Sequence, residues 1–152
     1  METRLPLDFS EFLRSLNEHE VEYLLVRGYA VIFYGYPRAT GDIDVWVRQS
    51  SANAERLVSA LRSFGFNIPD LVPGLFTVDG RIVRMDLPPN RIEVMTSVSG
   101  LTFEQAWVGR QTSDWDGLAV PVIGLADLRI NKAASARPKD LADLDELPDP
   151  SA

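Results

Sequence analysis

Asp42 and Asp44 are the residues whose type and spacing point most directly to chemistry. They open the alternating stretch Asp42-Ile43-Asp44-Val45-Trp46-Val47, which has strand character. Successive side chains of a strand point to opposite faces. The two carboxylates therefore share a face, where they can bind one divalent cation. Like charges held close repel, so the pair is costly without a positive partner. The plainer alternative is a turn aspartate followed by a solvated one. A third carboxylate, Glu93, sits inside the apolar stretch Arg91-Ile92-Glu93-Val94-Met95. Buried there, it needs a cation or a metal. Alternatively it lies on a solvent face, paired with Arg84 or Arg91. Gly28 follows the apolar run Leu24-Leu25-Val26 and Arg27 and opens a short helical stretch. A glycine there lets backbone N–H groups approach a phosphate, although it also suits a tight turn with no ligand. Arg38, Lys132, Arg137 and Lys139 are the cations placed to face an anion. Arg38 has the alternative of pairing with Asp42. The other three have the alternative of exposed pairs with Asp140 or Asp143, which contribute roughly 0–1 kcal/mol.

The elements that must position these groups follow from periodicity and turn chemistry. A helix is expected from Asp8, which can cap it, with Phe9, Phe12, Leu13 and Leu16 on one face. A buried strand is expected over 21–26 and a short buried helix over 29–34. Residues 35–41 (Gly35-Tyr36-Pro37-Arg38-Ala39-Thr40-Gly41) read as a loop. A strand over 43–47 follows, then a helix over 52–64 capped by Ser51 and ended by Gly65. Strands are expected at 76–78, 82–87 and 91–95, the last two joined as a hairpin through Pro88-Pro89-Asn90. A short helix covers 103–108, and a hairpin turns at Asp116-Gly117. Two helices, 125–136 and 139–147, are interrupted at Pro138. Strands and helices mix throughout, so the class is α/β or α+β. Residues 1–147 form one domain, and 148–152 are a frayed tail.

Composition narrows the chemistry further. The chain has 152 residues and no cysteine, which excludes disulfides and thiolate catalysis and fits a cytoplasmic protein. His19 is the only histidine, so a histidine-based zinc site or a serine–histidine–aspartate triad has almost nothing to draw on. It is expected in an exposed loop, and Trp46, Trp107 and Trp115 in core or groove packing. The first eight residues do not read as a signal peptide, and no apolar run reaches membrane-spanning length. The net charge of −7 argues against a broad nucleic-acid-binding face. It leaves room for a local basic groove, and thirteen of the fifteen basic residues are arginine, the better bidentate phosphate ligand.

Taken together, these motifs resemble a known family. The runs are Leu25-Val26-Arg27-Gly28-Tyr29-Ala30-Val31, then Gly35 through Trp46, then Pro88 through Ser97, then Ile123-Gly124-Leu125-Ala126-Asp127-Leu128 and Lys132 through Leu144. They resemble the small nucleotidyltransferases related to the AbiEii toxins, within the polymerase-β-like superfamily, over residues 8–147. The resemblance implies a nucleotidyltransferase fold: a mixed sheet flanked by helices, with C-terminal helices. It implies a metal-dependent enzyme that moves a nucleotide from an NTP to a hydroxyl of RNA (tRNA among them), protein or a small molecule. Asp42, Asp44 and Glu93 would be the catalytic carboxylates and would bind two Mg²⁺, with Mn²⁺ as a substitute. Gly28, Arg38, Thr40, Lys132, Arg137 and Asp140 would form the nucleotide site, with Asp140 orienting the phosphates or a nearby base. A toxin-type role with a cognate antitoxin is part of the implication, as is the alternative of a binding module without catalysis. The chain departs from the pattern twice. Arg27 stands where a glycine is expected, and Glu93 where an aspartate is usual. Arg27 is expected to turn out of the cleft and pair with an acidic neighbour, the alternative being that it lies across the cleft towards Asp42 and Asp44 with a guanidinium in place of a metal ion.

Overall fold

The computed structural model describes residues 5–35, 40–115 and 117–148. Helix α1 (Leu7–Glu18) begins after Pro6 at its N-cap, so Asp8 lies in its first turn. There its charge complements the helix dipole, where the sequence suggested a cap. Strand β1 (Tyr23–Val26) runs directly into helix α2 (Arg27–Phe33), which starts two residues earlier than its periodicity suggests. Strand β2 (Asp42–Val47) leads to helix α3 (Ser51–Phe64). The cap of α3 is Ser50, whose side chain accepts from the Asn53 amide, and Gly65 closes the helix at φ 112°. The strand expected at 76–78 is absent. Val72-Pro73-Gly74 favours a tight turn, and Pro73–Phe76 forms a short 3-10 helix that buries Phe76.

Strands β3 (Ile82–Leu87) and β4 (Asn90–Met95) form the expected hairpin. Helix α4 (Phe103–Val108) is fixed by a capping box between Thr102 and Gln105. Strands β5 (Gln111–Trp115) and β6 (Leu118–Val122) make a second hairpin; Gly117 of its turn lies at φ 82°, and Asp116 is outside the described residues. Helices α5 (Leu125–Ser135) and α6 (Pro138–Glu146) close the chain, with Pro138 in the first turn of α6 where its missing N–H costs nothing. The expected tail from 149 onward is outside the described residues.

The six strands form one mixed sheet in the order β3-β4-β2-β1-β6-β5. β1 and β2 are antiparallel, whereas β2 and β4 are parallel and in register. Alternation along β2 divides its residues cleanly. Ile43, Val45 and Val47 are fully buried on one face, and Asp42, Asp44 and Trp46 point to the other. Helices α1 and α3 join through the Phe12–Phe64 edge contact and a hydrogen bond from Ser15 Oγ to the Ala60 carbonyl. All three tryptophans pack as expected: Trp46 and Trp115 are buried, and Trp107 stacks on Phe103. His19 caps α1 half-buried, its Nδ1 2.9 Å from the Ser15 carbonyl, so it is not a free loop residue.

The link between α5 and α6 sets where Arg137 and Asp140 stand. Its first residue, Ala136, lies at φ 50°, in the left-handed region that disfavours a Cβ. Ala136→Gly is expected to stabilise the fold by about 0.5–1 kcal/mol, read as a raised urea midpoint at unchanged slope. An equal or lower midpoint would show that the turn carries no strain.

Candidate active site

Strand register brings the carboxylates together. Asp44 lies opposite Val26 of β1 on one side and opposite Glu93 of β4 on the other. Glu93 in turn lies opposite Arg84 of β3, and Asp42 lies opposite Arg91. Asp42, Asp44 and Glu93 all line one cavity of about 220 Å³. Asp44 and Glu93 are each 5% exposed, whereas Asp42 is half-buried. Burial pushes the Asp44 carboxyl up to about 7, and its hydrogen bond with Glu93 adds to the rise; the Arg27 charge only partly opposes it.

Arg27 does not turn out of the cleft. Its Nη1 lies 3.5 Å from Glu93 Oε2 and 4.0 Å from Asp44 Oδ1. The reason is in the backbone. Arg27 sits at φ 59° at the strand–helix junction, which sends its side chain towards the paired carboxylates rather than to an acidic neighbour outside. Glu93 is buried rather than on a solvent face, but it makes the arginine pairing that the solvent-face reading offered. It faces the aspartates, and its Oε1 also receives Arg84 Nε at 3.0 Å, with Arg91 Nη1 at 4.0 Å.

Gly28 is needed for close approach rather than for an unusual backbone angle. A Cβ there would come within 3.3 Å of Thr40 Oγ1. The Thr40 hydroxyl donates to the Asp42 carbonyl at 3.1 Å and accepts from the Asp42 amide at 3.2 Å, so this contact fixes the start of β2. Arg38 lies outside the described residues.

The C-terminal helices add the cations. Lys132, Arg137 and Lys139 line the same cavity as the carboxylates. Lys132 is not on the surface as the exposed-pair alternative supposed. It is 2% exposed, with Nζ 3.1 Å from Asp140 and 2.9 Å from Asp143. Asp140 is also buried and accepts from Arg137 Nε at 2.7 Å, from Arg137 Nη2 at 3.2 Å and from the Ser135 hydroxyl at 2.6 Å. Burial alone would raise its pKa. The bonds from Arg137, Ser135 and Lys132 outweigh that and hold it well below the usual carboxylate range. Arg137 is thereby aimed at the mouth of the site with half its side chain exposed. Ser135 was not among the sequence-derived site residues, because a lone hydroxyl gives no local signal, whereas Arg84 entered only as a partner for Glu93.

A second cavity of about 530 Å³ adjoins the first, and Arg27 and Arg137 line both. Its other walls include Ser97, Ser99, Asn131 and Ser135. Among the described residues, no three carboxylate or imidazole groups stand close enough to cage an ion as they lie. The donor set nevertheless suits a hard divalent cation. It consists of carboxylate oxygens from Asp42, Asp44 and Glu93, the last two almost wholly buried.

No family model matches the sequence, and no curated protein matches it. Solved structures do match. A putative nucleotidyltransferase from Thermotoga maritima superposes with a TM-score of 0.58 at 12% identity, over 91% of this chain and 88% of that one. An antigenic nucleotidyltransferase-like protein from Paracoccidioides brasiliensis gives 0.55 at 18% identity, over 91% and 73%. The chain has the nucleotidyltransferase fold. The mixed sheet with flanking and C-terminal helices expected from the motifs is the one observed. Among the described residues, no helix of this nucleotidyltransferase-fold protein is long and apolar enough to cross a membrane.

Two measurements test these electrostatics. The Asp44 carboxyl has a higher pKa folded than unfolded, so the folded state binds the extra proton. Without metal, stability should therefore fall as pH rises from about 4 to about 7. Asp44→Asn should remove that fall, raising the melting temperature by about 3 °C or more at pH 8 and little at pH 4. A gain equal at both pH values would refute the assignment. The Asp140 pKa is depressed, so its contribution is present above about pH 4 and is lost on acidification. Asp140→Ala strands the buried Lys132 ammonium beside Asp143 alone. At neutral pH it should cost about 3 kcal/mol in a urea melt, and a loss under about 1 kcal/mol would show that the hub is dispensable.

Proposed function

We propose that this protein is a metal-dependent nucleotidyltransferase that moves a nucleotide from an NTP to a hydroxyl acceptor. One observation carries the reading: three carboxylates from adjoining parallel strands share a cavity with Arg137 and Lys139 on the nucleotidyltransferase fold. The carboxylates suit a divalent cation, and the arginine and lysine suit a polyphosphate.

Asp42 and Asp44 would hold magnesium, with Glu93 in the third carboxylate position. When bound, the ion would supply Lewis acidity at the phosphorus being attacked and charge for the departing pyrophosphate. Arg137 would bind the triphosphate, its guanidinium pre-aimed by Asp140. The Lys132 ammonium is taken up by Asp140 and Asp143 and keeps Asp140 in place. Thr40 and Gly28 hold Asp42 in position. The neighbouring cavity of about 530 Å³ has the volume of a small-ligand site and would take the nucleoside. The acceptor oxygen attacks the α-phosphorus, the bond to pyrophosphate breaks, and the hydroxyl proton passes to solvent or to a carboxylate at the site. No covalent protein intermediate is needed, because positioning and charge stabilisation carry the step.

The acceptor hydroxyl would belong to RNA, including tRNA, to protein or to a small molecule, and a toxin paired with an antitoxin is one role open to such an enzyme. The position of Arg27 favours a second reading, a fold that holds nucleotide without transferring it, because its guanidinium stands against two of the three carboxylates. Incubation with each α-labelled NTP, Mg²⁺ and total cell RNA or protein separates the two. The first reading expects label on a macromolecule, reduced at least 100-fold in Asp42→Asn. Nucleotide binding by calorimetry with no label transferred supports the second reading. Neither binding nor transfer for any NTP sinks both.

A further inference from the structure

The two oxygens of Glu93 each face a guanidinium: Oε2 faces Arg27 at 3.5 Å, and Oε1 faces Arg84 at 3.0 Å. Asp44 Oδ1 shares the same Arg27 nitrogen at 4.0 Å. A magnesium ion bridging Asp44 and Glu93 would need an oxygen from each at about 2.1 Å. Paired ions in phosphoryl-transfer sites stand about 4 Å apart. The Arg27 nitrogen already lies against the oxygens that a second such ion would use. A guanidinium and a divalent ion repel, so the two exclude each other there.

Charge balance points the same way. Even fully ionised, Asp42, Asp44 and Glu93 carry three negative charges, which Arg27, Arg84 and Lys139 of the same cavity match, while Lys132 and Arg137 are matched by Asp140 and Asp143. One divalent ion already makes the cavity positive before any phosphate arrives. Two ions with both arginines in place would leave a strong excess of positive charge in a cavity of about 220 Å³.

We infer that Arg27 takes the place of one of two cations, so that the site binds a single divalent ion at Asp42 and Asp44, with Glu93 anchoring Arg27. This rests on the metal-dependent reading given above. It changes the role of two residues. Arg27 becomes a built-in, fixed charge, and Glu93 becomes a positioning residue that acts through Arg27.

The test is a Mn²⁺ titration of the full chain followed by electron paramagnetic resonance, with no nucleotide or acceptor present. The wild type is expected to bind one Mn²⁺ per chain. Arg27→Gly is expected to bind two, with the spin-coupled spectrum of a close pair. Arg27→Gln removes the charge and keeps the Cβ, so it should also bind two, which separates loss of charge from relief of the backbone. Two ions in the wild type, or one ion in all three chains, would overturn the inference and leave the metal-dependent reading standing. No ion in the wild type but one or two in the variants would also overturn it, because Arg27 would then close the whole site. No ion in any chain would remove the metal-dependent reading itself.

Discussion

Asp44 and Glu93 stand side by side because β2 and β4 are parallel and in register, and each is almost wholly buried. Two carboxyls in that position cannot both stay charged unless a cation is near. Much of the surrounding structure answers this one constraint. Arg27 comes to the pair from the end of β1 because Val26 lies opposite Asp44. Arg84 comes from the other side because β3 pairs with β4 so that it lies opposite Glu93. A one-residue slip of β2 would send Asp44 to the face occupied by Ile43 and Val45 and bring those apolar side chains into the cavity, so the buried core on one face fixes the charges on the other.

A second group of charges lies behind the first and is solved differently. Lys132 is a cation in nearly as dry a place as Asp44, and it has two carboxylates, Asp140 and Asp143, within 3.1 Å. Asp140 has donors on both oxygens: Lys132 and Arg137 on one, Ser135 and Arg137 on the other. This cluster is paired by buried groups within itself, whereas the Asp44–Glu93 pair is held by arginines that are one-third and more than half exposed. The contrast separates a structural role from a binding one. The satisfied cluster holds α5 against α6 and sets the angle of Arg137. The carboxylate pair lines the open cavity and is the part that the proposed reading assigns to a cation.

The sequence made the local part of this legible and left the long-range part hidden. Alternation along 43–47 is enough to put Asp42 and Asp44 on one face, because strand period is a local property. The same argument marks Glu93 as inward or outward, but it cannot say that β4 is the neighbour of β2; that depends on a parallel pairing across some fifty residues. The Lys132 cluster was hidden for a similar reason. Lys132, Asp140 and Asp143 look like solvated charges on two polar helices, and only the packing of α5 on α6 removes their water. Pro73 and Gly74 overrode the apolar run around Phe76 because turn chemistry acts over fewer residues than strand pairing.

Arg27 shows where motif and physics part. Its left-handed backbone is where glycine is favoured, and the glycine of the pair, Gly28, takes an ordinary helical conformation beside it. Holding an arginine there costs about 1–2 kcal/mol of backbone strain. Its side chain is one-third exposed, so its ion pairs are partly screened by water and do not obviously exceed that cost. Stability is therefore a weak reason for the residue. Charge at a fixed place is a stronger one. A guanidinium neutralises carboxylates at any metal concentration, but it has no vacant orbital with which to draw electrons from a phosphoryl oxygen. Arg27 can thus relieve the Asp44–Glu93 repulsion without supplying Lewis acidity, so any Lewis-acid step at this site must use the oxygens Arg27 leaves uncovered, those of Asp42 and the second oxygen of Asp44.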